Sequence, residues 1–393
     1  MSRGRMLLTG ATGILGSWVL AESLRRGYSP VAVMRDRSIA DARARLKAVL
    51  GLAGIHGGER DVEIVTGDST KENLGLSTGE VSRMRGTLDG IIHCAACTSF
   101  SPEQDEEVLT TNVGGTRNVL SLAALTDASL FHVSTAYVCG RRTGRIAERD
   151  LEHDAGYNNT YERSKNEAEG LVRVAFTRGD VRGAVYRPGI IVGATDGGRI
   201  CQFSNFYKLL QAIDYGAPRA RRNGSNFRLF GDPACTINLV PVDWSANQLW
   251  DGIETEGASG KSYHMTNHAP PTMEFIVEWL NSLLDDSGVR IELSPDIEEQ
   301  DAVIRRATKH FEGYVLDEPV FDRKNMDRAT PAGGECPEID SEFLASLFRY
   351  GKSQGWRNIF DVRRREAQPV NGSSKHLGRP HAVAMHRLPQ VTP

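Results

Sequence analysis

The sequence predicts an α/β protein: a Rossmann-type, doubly wound parallel sheet followed by a smaller mixed C-terminal substrate domain. Three observations carry this. Short apolar runs of strand character alternate with helical stretches as far as about Gly193. The first run ends in a glycine-rich turn that opens a helix, and beyond Gly193 the alternation breaks. Strands buried on both faces by crossover helices read as continuous apolar runs, and right-handed crossovers between them give double winding.

RMLLTG is the first strand, and ILGSWVLAESLRRG the helix that Gly27 stops. PVAVM is the second strand, followed by a charged helix from about Ile39 to Leu50. Val62 to Val65 form the third strand and LDGIIHCAA the fourth. A long helix covers 106–125, SLFHVSTAY is the fifth strand, NNTYERSKNEAEGLVRVAF the next helix and VRGAVYRPG the next strand. Ligands of such sheets lie outside the carboxyl ends of the strands, so the strand-to-loop junctions are where a site is expected. Later, INLVPVDWSANQLWDG gives a short strand and a helix, KSYHMTN a strand, and TMEFIVEWLNSLLDDSG an amphipathic helix. Residues 297–350 read as mainly helical, broken at TPAGGECP. The expected organisation is 1–193 mainly a dinucleotide-binding domain, 194–366 mainly a substrate or lid domain with some strands returning to the sheet, and 367–393 a flexible tail poor in apolar residues.

With 40% hydrophobic residues, 25% charged residues and a formal net charge of -3, a sizeable core is expected and a nucleic-acid partner is not. RARRN at 219–223 reads as a solvated face. The apolar runs are too short for a signal peptide or a membrane span, which makes a cytoplasmic location the default. Cys94 and Cys97 form a CxxC pair with no second pair to complete a site, and His264 and His268 lack a nearby carboxylate, so no metal is expected.

TGATGILG places Gly10, Gly13 and Gly16 between a strand and a helix. These glycines suit a tight turn, backbone approach to a pyrophosphate and close helix–strand packing; the helix N-terminus favours the anion. Thr9, Gly10, Thr12, Gly13, Ile14, Leu15 and Gly16 are thus candidate cofactor contacts. After the second strand come Arg35, Asp36 and Arg37. A guanidinium there fits a 2′-phosphate and favours NADPH, whereas Asp36 could instead accept from a 2′-hydroxyl. Asp68, with Ser69, follows the third strand and either meets adenine or caps a helix. Ala95 and Ala96 are small enough to let a cofactor cross the fourth strand end. Asn112, in mid-helix, either faces solvent or braces backbone near the active strand.

HVSTAYV ends the fifth strand at the same edge. Ser134 and Thr135 present hydroxyls there, beside Ala136 and Tyr137. Tyr161 and Lys165 stand four apart in YERSK and share one helix face. Lys165 and an oxidised nicotinamide are expected to depress the phenol from its usual pKa of about 10. Tyr161 could then exchange a proton with a carbonyl or alkoxide oxygen, while Thr135 stabilises the developing charge and Lys165 also holds a ribose. Val192 and Phe203 are further candidates for a substrate wall.

Together TGATGILG, HVSTAYV, YERSK and VYRPGIIVG resemble the extended short-chain dehydrogenase/reductases over roughly residues 5 to 290. VMRDRSIADARARL, NVGGTRNVL and INLVPVDW are most similar to the thioester reductase branch: terminal reductase domains of carboxylic acid reductases and nonribosomal peptide synthetases, and fatty acyl-CoA reductases. The resemblance implies a Thr135–Tyr161–Lys165 triad, NADPH held by Arg35, and Arg187, Pro188, Gly189 and Ile190 beside the nicotinamide. It also implies hydride transfer to a thioester carbonyl, releasing an aldehyde and going on to an alcohol if a second round follows. The first strand begins at about residue 5, so the acyl thioester is expected from a carrier protein in trans or as a CoA ester. Open alternatives are an extended dehydrogenase acting on a free aldehyde or ketone, a nucleotide-sugar epimerase or dehydratase, and a non-catalytic dinucleotide sensor.

Overall fold

A computed structural model describes residues 3–36 and 38–361; the segment expected as a tail lies outside the described residues. The chain opens with β1 (Arg5–Thr9), α1 (Ile14–Arg25), β2 (Ser29–Met34), α2 (Ile39–Leu52), β3 (Glu63–Thr66), α3 (Thr78–Met84) and β4 (Gly90–His93). The predicted long helix is two segments, α4 (Asp105–Leu109) and α5 (Gly115–Thr126), joined by a π-helical turn at Thr110–Gly114. Then come β5 (Ser129–Val133), β6 (Arg145–Ile146), α6 (Thr160–Arg178), β7 (Gly183–Pro188) and β8 (Ile190–Val192).

The remainder runs α7 (Phe206–Asn223), β9 (Phe227–Phe230), β10 (Leu239–Pro241), α8 (Val242–Glu254), β11 (Ser262–Met265), α9 (Met273–Leu284) and β12 (Ile291–Ser294). It ends with α10 (Ala302–Thr308), β13 (Val320–Phe321), α11 (Lys324–Ala329) and α12 (Ser341–Ser353).

Seven strands form the main sheet in the order β11-β7-β5-β4-β1-β2-β3. Every neighbouring pair is parallel. Strand order reverses between β1 and β4, and the crevice above that reversal is where such sheets bind nucleotides. Alternation along each strand supplies two cores. Leu7, Val31, Ile91 and Leu130 face Val119, Leu122 and Val172 on one side. Met6, Leu8, Ala32 and Ile92 share the other with Trp18, Leu46, Leu249 and Trp250. A third core, including Leu210, Ile213, Leu229, Ile276, Leu280, Leu344 and Leu347, is built by the later chain.

The later chain is tied to the sheet at several points. β11 extends it beyond β7, β10 pairs with β8, and β13 pairs with β6. Trp250 on α8 donates its indole N–H to Val19 O on α1 at 3.0 Å. These attachments bring the segment around residues 300–318 over the carboxyl end of the sheet, where it lines the same cavity as the strand ends.

Candidate active site

The cavity at the sheet's carboxyl edge has a volume of about 270 Å³. Its floor is Gly13, Ile14, Leu15 and Gly16 from the first turn, Cys94 and Ala96 after β4, Ser134, Thr135 and Tyr137 after β5, Tyr161 and Lys165 on α6, and Pro188, Gly189 and Ile190 after β7. Phe206, Leu229, Ile237, Phe311, Glu312 and Tyr314 close it from the later chain.

The glycine turn is fixed by contact. Gly10 sits at φ +72°, and a Cβ there would lie 2.6 Å from Ala95 N. A Cβ on Gly16 would lie 2.1 Å from Gly10 O. Gly13 is the N-cap of α1, with no side chain capping the helix and no acidic residue in its first turn. The free N–H groups of that turn therefore face an open cradle suited to a pyrophosphate.

At the ribose end, Asp36 is bound by Arg45 on α2, whose Nη1 lies 3.1 Å from both carboxylate oxygens. Arg45 also donates to Thr12 Oγ1 at 3.0 Å and lies over the Phe360 ring at 4.6 Å. Arg35 is exposed beside it, and Arg37 lies outside the described residues. Arg45 was missed in the sequence because it stands a full turn inside α2, away from the strand end; its i+9 separation from Asp36 carries no local signal.

Asn159 begins α6 by accepting from Glu162 N at 3.0 Å, which sets Tyr161 and Lys165 one turn apart on the face toward β5. Lys165 Nζ donates to Val133 O at the end of β5. Burial pushes its ammonium down to about 8, against the pull of Cys94 and Glu169. Burial also raises the Tyr161 phenol, and the Thr135 hydroxyl beside it opposes that shift. With the protein's own groups alone around it, the phenol stands above its ordinary value because burial dominates. A phenol in that state is a proton donor.

Thr9 and Asn112 serve beneath the cavity instead of on it. Thr9 Oγ1 pairs with His93 Nδ1 at 2.7 Å and accepts from Ala95 N at 3.3 Å. Asn112 is buried in the π turn; it accepts from Cys97 N at 2.8 Å and donates to Cys97 O at 2.9 Å and Ser164 Oγ at 2.8 Å. It braces the β4 loop against α6, which rules out the solvent-facing alternative. Asp68 accepts from the N–H and hydroxyl of Thr70 at 3.0 and 2.9 Å, an Asx turn, and Ser69 O accepts from Asn118.

The Arg187 side chain does not reach the cavity. It is fully enclosed, with Nε 3.0 Å and Nη2 2.7 Å from the two Glu169 oxygens. Ala136, Val192 and Phe203 also leave the substrate wall: Ala136 packs on Ile146 and Phe321, and the other two belong to the third core. Phe206, the first residue of α7, faces the cavity in place of Phe203, which precedes the helix. Ser134 lines the cavity.

These features define a dinucleotide-binding oxidoreductase of the extended short-chain dehydrogenase/reductase class, on its thioester-reductase-like branch. The chain belongs to the family described as Male sterility protein, whose profile matches residues 8–249. It is 27% identical over 372 residues to a component of the linear gramicidin synthase of Brevibacillus parabrevis, covering 88% of this chain and 7% of that one. It is 31% identical over 375 residues to isonitrile lipopeptide synthase of Streptomyces coeruleorubidus, covering 88% and 24%. The chain spans well under half the length of these curated relatives. Among solved structures, the terminal R domain from the myxalamid PKS-NRPS pathway superposes with a TM-score of 0.77 at 23% identity, over 91% of this chain and 93% of that one. UDP-glucuronic acid 4-epimerase from Bacillus cereus, in complex with UDP-glucuronic acid and NAD, reaches 0.62 at 16% identity over 89% and 99%. These structural likenesses show the fold. Among the described residues, no helix is long and apolar enough to cross a membrane.

Proposed function

We propose that the protein is an NADPH-dependent reductase of an acyl thioester, held on a carrier protein in trans or on CoA, with Thr135, Tyr161 and Lys165 as its catalytic triad. The observation that carries this reading is the convergence of a buried hydroxyl, a half-buried phenol and a buried ammonium on one cavity that also contains the open glycine turn. Residues 1–193 would mainly hold the cofactor and 194–366 mainly shape the substrate side.

The uncapped turn of α1 would hold the pyrophosphate, Lys165 a ribose hydroxyl, and Pro188 to Ile190 the nicotinamide; bound there, the cofactor supplies hydride. Preference for NADPH rests on Arg45 and Arg35, whose guanidinium groups flank Asp36 at the adenosine end and could take a 2′-phosphate. Tyr161 donates to the substrate oxygen as negative charge grows on it, and Thr135 shares that charge. Lys165, held by Val133 O, lies in the same buried site and favours the phenolate once the proton has left. The apolar closing wall of Phe206, Leu229, Ile237 and Phe311 excludes water and suits an acyl chain.

The test is cofactor oxidation against acyl-CoA, acyl-pantetheine and free aldehyde substrates, with product masses measured. Thioester-dependent NADPH oxidation with aldehyde formation is the expected result. Oxidation with free carbonyls alone would overturn the thioester assignment.

A further inference from the structure

A second, larger cavity of about 580 Å³ adjoins the first. Its lining is more polar than that of the first and includes Arg141, Arg142, Asn158, Asn159 and Lys309. Phe100, Tyr137, Glu312 and Tyr314 line both cavities and form the wall between them. In the thioester reading on which this inference rests, the acyl group fits the apolar cavity and the amide-rich thiol arm the polar one. The sulfur that joins them then lies at the shared wall.

On that wall, Tyr137 is 7% exposed and its hydroxyl donates to Glu318 Oε1 at 2.7 Å. Asn238 N donates to the same oxygen at 2.7 Å, and Thr236 Oγ1 to Oε2 at 2.8 Å. Among the described residues no cation pairs with Glu318; Tyr137, Tyr314, Cys235 and Asp317 surround it, and Asp105, Arg141, Arg142, Lys309, His310 and Glu312 line the same cavity. The three donated hydrogen bonds favour its charged form, but burial outweighs them and, with no cation to oppose it, pushes this carboxyl up to about 7. That is more acidic than a departing thiol, at about 8.5. Thr135 and Tyr161 are already committed to the carbonyl oxygen, which leaves the sulfur without an acid. Tyr137 is only two residues from Thr135, and its N–H donates to Thr135 Oγ1 at 3.3 Å.

We propose that Tyr137 is a second acid, protonating the thiol as it leaves, and that Glu318 is the positioning residue behind it that resupplies the proton. In the hemithioacetal the C–S bond breaks and its electron pair leaves on sulfur. The substrate oxygen re-forms the carbonyl, returning any proton it took to Tyr161. Sulfur takes the Tyr137 proton, and Tyr137 takes the Glu318 proton. Water in the polar cavity then reprotonates Glu318. No oxidation or reduction occurs in this step; its products are an aldehyde and a thiol.

The experiment follows NADPH fluorescence and free thiol together in single turnovers with an acyl-CoA, for the full chain and for Tyr137→Phe and Glu318→Gln. Both variants preserve side-chain volume, and their thermal midpoints are compared with the parent's. In the parent, the two traces coincide. In each variant thiol release is expected to lag, running at least tenfold slower than NADPH oxidation. Traces that slow together, or that stay coincident, would overturn the second acid and leave the thioester reading standing. If the parent oxidises NADPH with free carbonyls but with neither acyl-CoA, acyl-pantetheine nor a carrier-bound acyl thioester, both assignments fall.

Discussion

Two buried carboxylates, one under the cavity floor and one behind the wall, have opposite surroundings. Glu169 lies under the strand-edge floor, fully buried between Arg187 and Arg173, with Arg173 Nε at 2.8 Å. Burial works to raise it, yet the two guanidinium groups hold it below the ordinary carboxyl range. Glu318, on the wall supplied by the later chain, meets hydroxyls and a backbone N–H only, and burial prevails. Where cations match a buried carboxylate it becomes scaffold; where neutral donors alone surround it, its proton stays exchangeable near neutrality. The floor is built to stay fixed, and the wall is built to respond.

Variants sharpen that contrast. The largest effect is expected from Tyr161→Phe on the floor: about 10² to 10⁴-fold slower hydride transfer in single turnovers, with NADPH affinity close to the parent's. Arg187→Met leaves Glu169 buried beside one fewer cation and should cost about 3–5 kcal/mol in denaturant unfolding. If it costs no more than Glu318→Gln, the two carboxylates do not differ as described. Arg45→Ala should weaken NADPH binding about tenfold, or about 1.4 kcal/mol, in fluorescence titration while changing NADH much less. An equal loss for both cofactors would remove Arg45 from the 2′-phosphate site.

The smallest effect is on pH dependence. Because the folded-state pKa of Glu318 is raised, the fold favours its protonated form. Its contribution to stability is fully present below the unfolded value, about 4.3, and declines as pH rises to about 7. Glu318→Gln should flatten that slope, read from unfolding midpoints across about pH 4 to 8. Glu169, with its value lowered, contributes in the opposite sense: its stabilisation is lost as pH falls through the folded value.

Most of the floor was legible in the sequence. A glycine turn between a strand and a helix, a hydroxyl at a strand end and a Tyr–Lys pair one helical turn apart are local patterns with local causes. The seven parallel strands follow from apolar runs of the right length. Misplaced residues share a different cause. Arg187, Val192 and Phe203 lie beside cavity residues in sequence, but alternation along extended backbone turns their side chains into the interior. For Arg187 the deciding partner, Glu169, comes from another element. The wall was hardly legible at all. Glu318 reaches Tyr137 across 181 residues, and the Arg45–Asp36 pair likewise depends on tertiary placement. Nor did any periodic signal mark β9, β12 or β13, which are strands of two to four residues.

The most direct test is the ratio of thiol released to NADPH oxidised when the protein is given an acyl-CoA under limiting cofactor. The account predicts thiol release tied to cofactor consumption: one thiol per NADPH if reaction stops at the aldehyde, one per two if an alcohol forms. NADPH consumed without thiol, or substrate converted with no net cofactor oxidation, would contradict it.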